Sequence, residues 1–400
     1  MKHAVKWVWF NAAARILTLI PQKIPTLLTG PGSIKLVPSE LKVHHSSKPL
    51  IVTDATLIKA GIVGKLTTIL AEAKIPFAIF DAVIPDPSYE LCAQGLAILK
   101  EKGCDAVIAI GGGSVIDAAK LIRMGATHKK NIEKFSGILS FRNGGLPFIC
   151  IPTTAGTGSE ATAVAVITNN KRHRKVIILD PRLPPDTAIL DPMLTISLPP
   201  ALTAASGIDS LTNAIEAYTN TLHYSDVDVQ AMEATRLIFS NLPTACADGG
   251  KVEAREAMLR ASHLAGRAFT RGFVGYVHAV AHRFGERYHI PHSLANAITL
   301  PYFLDLYKIA CPERLADLAE AAGIRRRGNS EDAKTRALAF VEAVRALNAN
   351  VGIPEKAVFL KEEDIAGIVV DAFREAHGTP YPVPVILDAA ELTGILRSML

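Results

Sequence analysis

Short apolar runs alternate with longer segments of helical period from Pro49 onward. The runs have the length and β-branched content of buried strands, while the longer segments repeat their apolar residues at helical spacing. The predicted strands are 50–53, 76–80 and 105–110, and the predicted helices between them are 57–74 and 87–102. This βαβαβ order is typical of a parallel sheet covered by helices, which binds ligands at the carboxyl ends of its strands.

The pattern changes after Pro199, where β-branched runs become rare and Ala, Leu and Glu recur at helical spacing almost to the C-terminus. Proline is tolerated before a helix or in its first turn and poorly inside one, so the segment 198–200 marks a boundary. We predict an α/β domain over 1–197 and a helical domain over 198–400. The first part of the α/β domain, 1–30, is predicted to form an N-terminal arm.

The composition is sufficient for two hydrophobic cores and does not indicate a nucleic-acid partner. Of 400 residues, 49% are hydrophobic, and the formal net charge is only +5. A charge this small for the length gives no reason to expect nucleic-acid binding. The five cysteines are widely spaced and contain no CxxC pair, which favours a reducing compartment, the cytoplasm.

The N-terminal arm combines two lysines with an apolar stretch, as a signal peptide does. Arg15 and Asn11 interrupt that stretch, and no small-residue cleavage pattern precedes Pro21. We therefore expect a packed or peripheral arm. Since the chain contains no run of about eighteen uninterrupted apolar residues, we expect no membrane span.

Two loops rich in small residues follow predicted strands. The first, 111–114, lies between a strand and a helix beginning near Ser114, where backbone N–H groups and the helix dipole suit a phosphate. The second, 152–160, follows a predicted strand at 147–151 and carries adjacent threonines that can bond ribose or phosphate oxygens. Each loop alone is also compatible with an ordinary turn. Two of them at the strand ends of one sheet favour a nucleotide site.

Asp54 closes the predicted strand at 50–53. A carboxylate there can accept hydrogen bonds from ribose hydroxyls and repel a 2′-phosphate, which favours NAD over NADP. It can equally be the N-cap of the helix that follows. The sequence leaves both interpretations open.

The helical half contains Asp209 and three clustered histidines. His278 and His282 are four residues apart, so both imidazoles lie on one helix face, and His292 follows a helix break at Pro291. A single histidine here would be interpreted as a core residue. The density favours a catalytic divalent metal with nitrogen and oxygen ligands and one open position.

Four strings, in their order and spacing, resemble the iron-containing (group III) alcohol dehydrogenase family. They are 111–120, 152–160, 207–218 and 277–292. The resemblance implies a Rossmann-like dinucleotide-binding domain, an all-α C-terminal domain and a metal in the cleft between them, an architecture shared with dehydroquinate synthase. It also implies an NAD(P)-dependent oxidoreductase that interconverts a small alcohol with its aldehyde or ketone, in a homodimer or larger assembly.

The family pattern assigns roles to individual positions. The implied cofactor-binding residues are Asp54, Gly112, Gly113, Ser114, Asp117, Thr153, Thr154 and Lys175. The implied metal ligands are Asp209, Asn213, His278 and His292, and His282 is implied to stand beside the nicotinamide, where we expect it to move the proton. Lys175 closes a basic run at 171–175 whose other members we interpret as a solvated hairpin tip.

The fourth ligand position departs from the family, which usually has histidine where this chain has Asn213. An amide oxygen is a weaker ligand than imidazole for Fe(II) or Zn(II). Three ligands still satisfy the pattern of a catalytic zinc. The alternatives are a metal-free reductase like maleylacetate reductase, a sugar-phosphate cyclase, and a non-catalytic nucleotide-binding protein. Ser293 also replaces the usual glycine, which we regard as minor.

Overall fold

The computed structural model describes residues 12, 15, 16, 18, 20–172, 174–325, 331–378 and 381–400. They form two units. The α/β unit contains Pro21–Thr154 and Gly158–Leu198, and the helical unit contains Ala155–Thr157, Pro199–Leu400 and the described residues before Pro21. The units separate one residue beyond the predicted boundary. Most of the predicted arm before residue 20 lies outside the described residues. Its described residues up to Ile20 belong to the helical unit and not, as predicted, to the α/β domain, and Thr18 and Tyr224 share a hydrogen bond of 2.6 Å within that unit.

The α/β unit is built on a six-stranded, entirely parallel sheet. The strands of this unit are β1 (Thr26–Thr29), β2 (Pro49–Val52), β3 (Ala78–Phe80), β4 (Ala106–Gly111), β5 (Gly137–Ile138), β6 (Phe148–Pro152), β7 (Val164–Asn169), β8 (Arg174–Leu179) and β9 (Thr187–Leu190). The large sheet has the order β1-β9-β6-β4-β2-β3. Every residue of the central strand β4 is buried, as expected for a parallel strand covered on both faces.

The strand order reverses between β2 and β4. From β2 the chain moves outward to β3, whereas from β4 it moves the other way, to β6 and then β9. Open α/β sheets bind ligands at such a switch point, beyond the carboxyl ends of the two strands. Thr53 joins these ends, because its Oγ1 donates to the Ile110 carbonyl at 2.9 Å. Asp54 and Gly112 therefore follow the two strands that flank the switch point.

The helices of this unit follow the predicted order with one correction. They are α1 (Val37–Val43), α2 (Ala55–Lys59), α3 (Ile62–Glu72), α4 (Tyr89–Glu101) and α5 (Gly113–Thr127). The single helix predicted at 57–74 is wrong. Gly61 adopts a left-handed φ of 73°, which ends α2 and starts α3 in a new direction.

A second, three-stranded sheet contains β5, β8 and β7, of which β7 and β8 pair antiparallel. The hairpin predicted around the basic run is thereby confirmed. Lys171 lies in its connection with a side chain 68% exposed, 2.7 Å from Glu133. His173 lies outside the described residues.

The C-terminal unit is helical, as predicted. Its helices are α6 (Pro200–Thr219), α7 (Ser225–Ala247), α8 (Val252–Gly272), α9 (Tyr276–Tyr288), α10 (His292–Ala310), α11 (Pro312–Ala321), α12 (Ala333–Asn350), α13 (Glu362–Gly378) and α14 (Ala389–Ser398). Helix α6 is its central element, because residues 203–219 are all buried and α7, α8, α10 and α11 pack against it. Within the described ranges, every helix is too short or too polar to cross a membrane.

The last residue of α8 packs directly on α6. A Cβ atom added at Gly272 would lie 2.8 Å from Ala217 Cβ and 3.0 Å from Ala217 Cα. We expect Gly272→Ala to lower the free energy of unfolding by roughly 1–3 kcal/mol, since the two helices must separate. Urea denaturation followed by circular dichroism measures this change.

The matched control is Gly394→Ala in α14, where an added Cβ meets nothing within 4 Å. Here the higher helix propensity of alanine should stabilise by up to about 1 kcal/mol. Equal stability of the two variants would contradict the close approach of α6 and α8.

Candidate active site

Three of the predicted metal ligands converge in the helical unit. Asp209 lies on α6, His278 on α9, and His292 begins α10. One ligand atom of each lies within 4.8 Å of the others. Asp209 and His278 are buried, whereas the His292 side chain is 28% exposed. A carboxylate and two imidazoles at this spacing fit a divalent transition-metal ion, which takes such ligands at about 2.0–2.2 Å.

Glu216 holds His278 in place. This buried residue lies on α6, and its carboxylate accepts from Gly275 N and Val277 N, both at 2.8 Å, at the start of α9. It also lies 2.6 Å from His278 Nδ1. Because both carboxylate oxygens already accept from backbone N–H groups, His278 Nδ1 is the donor in this contact, and Nε2 is the nitrogen left to a metal.

Burial and charge act in opposite directions at the triad. Burial raises the pKa of Asp209, against the opposing effect of His278. Burial alone would lower the pKa of His278, but the carboxylates of Glu216 and Asp209 outweigh it and raise that pKa. A cation at the centre would reverse both tendencies, since it favours the ionised aspartate and the neutral imidazole.

His282 lies beside the triad and has its own carboxylate partner. Its ring is nearly parallel to that of His292, with centroids 5.1 Å apart. Its Nδ1 lies 2.7 Å from Oε1 of Glu375. Burial alone would raise the pKa of Glu375, but His282 and Arg283 outweigh it and lower that pKa to about 2. Glu375 therefore stays ionised and accepts from Nδ1, which leaves the lone pair on Nε2 to accept a proton.

Asn213 lies one turn after Asp209 on the same helix and is buried. Its Nδ2 reaches the Gly156 carbonyl at 3.5 Å, the long limit of a hydrogen bond. Ser210 donates to the same carbonyl at 2.8 Å. The contact of Asn213 is thus with the backbone of segment 155–157, and its role as a ligand stays a prediction.

In the α/β unit, the first predicted loop, 111–114, lies beside Thr153 and Thr154 of the second. Gly112 is the N-cap of α5, and no side chain of the described residues caps this helix. Its first N–H groups, including those of Gly113 and Ser114, are therefore available to an anion. Thr153 N donates to the Gly111 carbonyl at 3.1 Å. A Cβ at Gly112 would lie 3.3 Å from the Thr154 hydroxyl, so glycine keeps this approach open.

Asp54 is the N-cap of α2, with Oδ1 accepting from Thr56 N at 2.8 Å and Leu57 N at 3.0 Å. The capping interpretation is therefore observed. It leaves the cofactor interpretation as a prediction, because both capping bonds are made to Oδ1 and neither uses Oδ2.

The other two predicted cofactor residues already have protein partners. Asp117 accepts from Ser159 Oγ at 2.5 Å and from Val166 N at 2.9 Å, and lies 3.6 Å from Lys120 Nζ. Burial raises the pKa of Asp117 despite that lysine. Lys175 Nζ lies 2.8 Å from Asp86. Their roles toward a cofactor stay predictions.

Sequence reasoning missed three residues at the triad: Glu216, Glu375 and Asn296. Glu216 follows Asp209 by seven residues, two helical turns, and Asn296 follows His292 by four, so helical spacing was a usable signal for both. Glu375 is more than ninety residues from His282, and no spacing rule links them.

A glycine loop at the switch point of a parallel sheet and an Asp-His-His cluster on helices define a two-domain, metal-dependent class of oxidoreductase. Residues 25–192 match the family model "Iron-containing alcohol dehydrogenase", and residues 203–400 match "Fe-containing alcohol dehydrogenase family, C-terminal". The chain belongs to the iron-containing alcohol dehydrogenase family.

Individual relatives cover nearly the whole chain. It is 40% identical to 1,3-propanediol dehydrogenase of Klebsiella pneumoniae, over 88% of this chain and 92% of the relative. It is 37% identical to NAD-dependent methanol dehydrogenase of Bacillus methanolicus, over 92% and 97% of the two chains. The crystal structure of a 1,3-propanediol oxidoreductase superposes with a TM-score of 0.91 at 37% identity, covering 95% of this chain and 99% of the other.

Glu216→Gln tests the buried carboxylate. The amide cannot accept all three hydrogen bonds, because one of its ends is a donor. We expect the dissociation constant for Zn(II), measured by chelator competition on metal-stripped protein, to rise about 10–100-fold, as for other partners of metal-bound histidines.

Glu253→Gln, an exposed change in the first turn of α8, is the control and should leave the constant unchanged. Equal affinities of the Glu216 variant and the control would remove Glu216 from the metal centre.

Proposed function

We propose that this chain is an NAD-dependent alcohol dehydrogenase that interconverts a small alcohol with its aldehyde or ketone. The observation that carries the proposal is the convergence of Asp209, His278 and His292 within 4.8 Å in a member of this family. The relatives named for 1,3-propanediol and methanol support a short alcohol or diol as substrate.

The proposed cofactor site is the pair of loops at the carboxyl ends of β4 and β6. The free N–H groups at the start of α5 would bind the pyrophosphate, with Thr153 and Thr154 along the nucleotide. Asp54 favours NAD over NADP, because its charge would repel a 2′-phosphate. Asp117 and Lys175 complete the proposed set. The sulfoacetaldehyde reductase whose crystal structure contains NAD⁺ is 29% identical to this chain, with a TM-score of 0.85.

Asp209, His278 and His292 would hold a divalent cation, Fe(II) or Zn(II), with Asn213 as a weaker fourth candidate. Such a cation supplies Lewis acidity, which lowers the pKa of a bound hydroxyl. The chain's own contribution is to fix the ligands. Glu216 orients His278 and fixes the neutral tautomer with its proton on Nδ1, so that Nε2 would face the cation, while burial keeps bulk water from competing at Asp209.

His282 is the proposed proton acceptor. Oxidation of an alcohol releases one proton as the hydride passes from the carbinol carbon to the nicotinamide, and a base must take that proton. Glu375 fixes the His282 tautomer and stabilises the imidazolium that forms. Tyr381 and Arg283 in turn hold Glu375, at 2.8 and 2.7 Å.

We further propose a cytoplasmic homo-oligomer without a nucleic-acid partner. All five cysteines are free, and three of them are buried, which suits a reducing compartment. The assembly is proposed on the family resemblance alone.

The proposal predicts metal-dependent turnover. Metal-stripped protein, reloaded separately with Fe(II), Zn(II), Mn(II) or buffer, should form NADH from short alcohols and diols only when a metal is present. Asn213→His should bind the metal more tightly, because imidazole is a better ligand than an amide.

Turnover in buffer alone would overturn the metal-assisted mechanism. If the native protein were inactive with every metal while the histidine variant were active, the proposed dehydrogenase would be replaced by a nucleotide-binding protein without this activity.

The proton path has a separate test. His282→Ala should lower kcat by about 100-fold or more while leaving the Kd for the cofactor, measured with NADH, unchanged, because only the proton transfer is removed. Glu375→Gln should give a smaller loss of kcat of the same kind, since the amide still accepts from Nδ1 without its charge. Stopped-flow turnover and fluorescence titration with NADH measure the two quantities.

Glu363→Gln, at an exposed position in the first turn of α13, is the matched control and should change neither quantity. Unchanged kcat in His282→Ala would remove this histidine from the proton path.

A further inference from the structure

The amide of Asn296 lies where the three candidate ligands converge. Its Nδ2 is 2.7 Å from Asp209 Oδ1, 3.2 Å from His278 Nε2 and 3.1 Å from His292 Nε2. Asn296 is fully buried, and it follows His292 by one turn of α10, which directs both side chains to the same face. One amide nitrogen thus faces an atom of every residue in the triad.

The nitrogen and the oxygen of this amide differ in their hydrogen bonding. The two hydrogens on Nδ2 lie within hydrogen-bond distance of one carboxylate oxygen and two imidazole nitrogens, so this end is surrounded by polar atoms. Oδ1 is buried and has no hydrogen-bond partner among the described residues. Leaving a buried polar atom unpaired costs about 1–3 kcal/mol, and such atoms in native proteins often mark a site for water or an ion.

A cation at the centre of the triad would reverse the preference of the amide. The N–H groups now directed at the three ligands would point at a positive charge. A half-turn about the Cβ–Cγ bond exchanges Nδ2 for Oδ1 in nearly the same volume, because the two ends of an amide are almost equal in size. The unpaired oxygen would then face the cation, and a neutral amide oxygen is an accepted ligand for divalent metals beside carboxylate and imidazole.

Building on the proposed function, we propose that Asn296 is the fourth protein group of the metal centre: its amide nitrogen holds the three ligands together in the metal-free protein, and its oxygen coordinates the bound cation. The amide of Asn213 is differently placed, since its Nδ2 is directed at the Gly156 carbonyl. The oxygen ligand thus comes from α10, four residues after a histidine, rather than from α6.

The experiment compares affinities of metal-stripped variants for Zn(II) by chelator competition. Asn296→Leu keeps a branched side chain of similar length and removes the ligand, so the Kd should rise at least about tenfold. Asn296→Asp keeps an oxygen and adds a negative charge, so the Kd should fall. Asn241→Leu is the matched control, because the Asn241 amide donates to the Leu237 carbonyl of its own helix at 2.8 Å, and this variant should leave the Kd unchanged. Co(II) in place of Zn(II) gives a second readout, because a lost oxygen ligand shifts its visible absorption bands.

The sign of the change in Asn296→Leu decides the question. Tighter or unchanged binding would overturn the proposal, because it would mean that the amide only competes with the metal or only packs. If this variant does not fold, weaker or unchanged binding by Asn296→Asp with unaltered Co(II) bands would overturn it equally. A native protein that binds neither metal would instead overturn the proposed metal centre itself, which separates that failure from a failure of the Asn296 assignment.

Discussion

The carboxylate of Glu216 fixes the relation between α6 and α9. It accepts the N–H groups that begin α9 and pairs with His278, while the helix that carries it also carries Asp209 two turns earlier. A buried carboxylate is strongly disfavoured without such partners, so these bonds depend on one another. The spacing of Asp209 and His278 is therefore set by one fully paired polar group, and apolar packing surrounds it.

Most of the α/β unit could be predicted from the sequence, because its signals are local. The strands predicted at 50–53, 105–110 and 147–151 lie within one residue of their observed bounds. The error at Gly61 has a physical reason. Periodicity of apolar residues continues through that glycine, and only its left-handed φ shows that the chain turns there. The β1 strand at the sheet edge was also missed, since an exposed edge lacks a buried apolar run.

The residues of the candidate site could be predicted where family motifs or helical spacing relate them to one another. Asp209, His278 and His292 were identified from their density and from family motifs, and the structure brings them together. Glu375 could not be predicted from the sequence, because its contact with His282 depends on how α13 packs against α9. Asp54 shows the converse difficulty. A carboxylate at this position suits both a helix cap and a contact to the ribose, and the observed cap does not exclude the ribose contact.

Residues Ala155–Thr157 belong to the helical unit, although the chain on either side of them belongs to the α/β unit. Ser210 and Asn213 of α6 both bond the Gly156 carbonyl, and a Cβ at Gly156 would lie 2.8 Å from Ser206 Cβ. The helical unit is therefore not encoded by one continuous stretch of gene. If the C-terminal halves of two relatives were exchanged at residue 199, α6 of one protein would meet the segment 155–157 of the other. An exchange that preserves these contacts therefore has to include Ala155–Thr157 together with the helices.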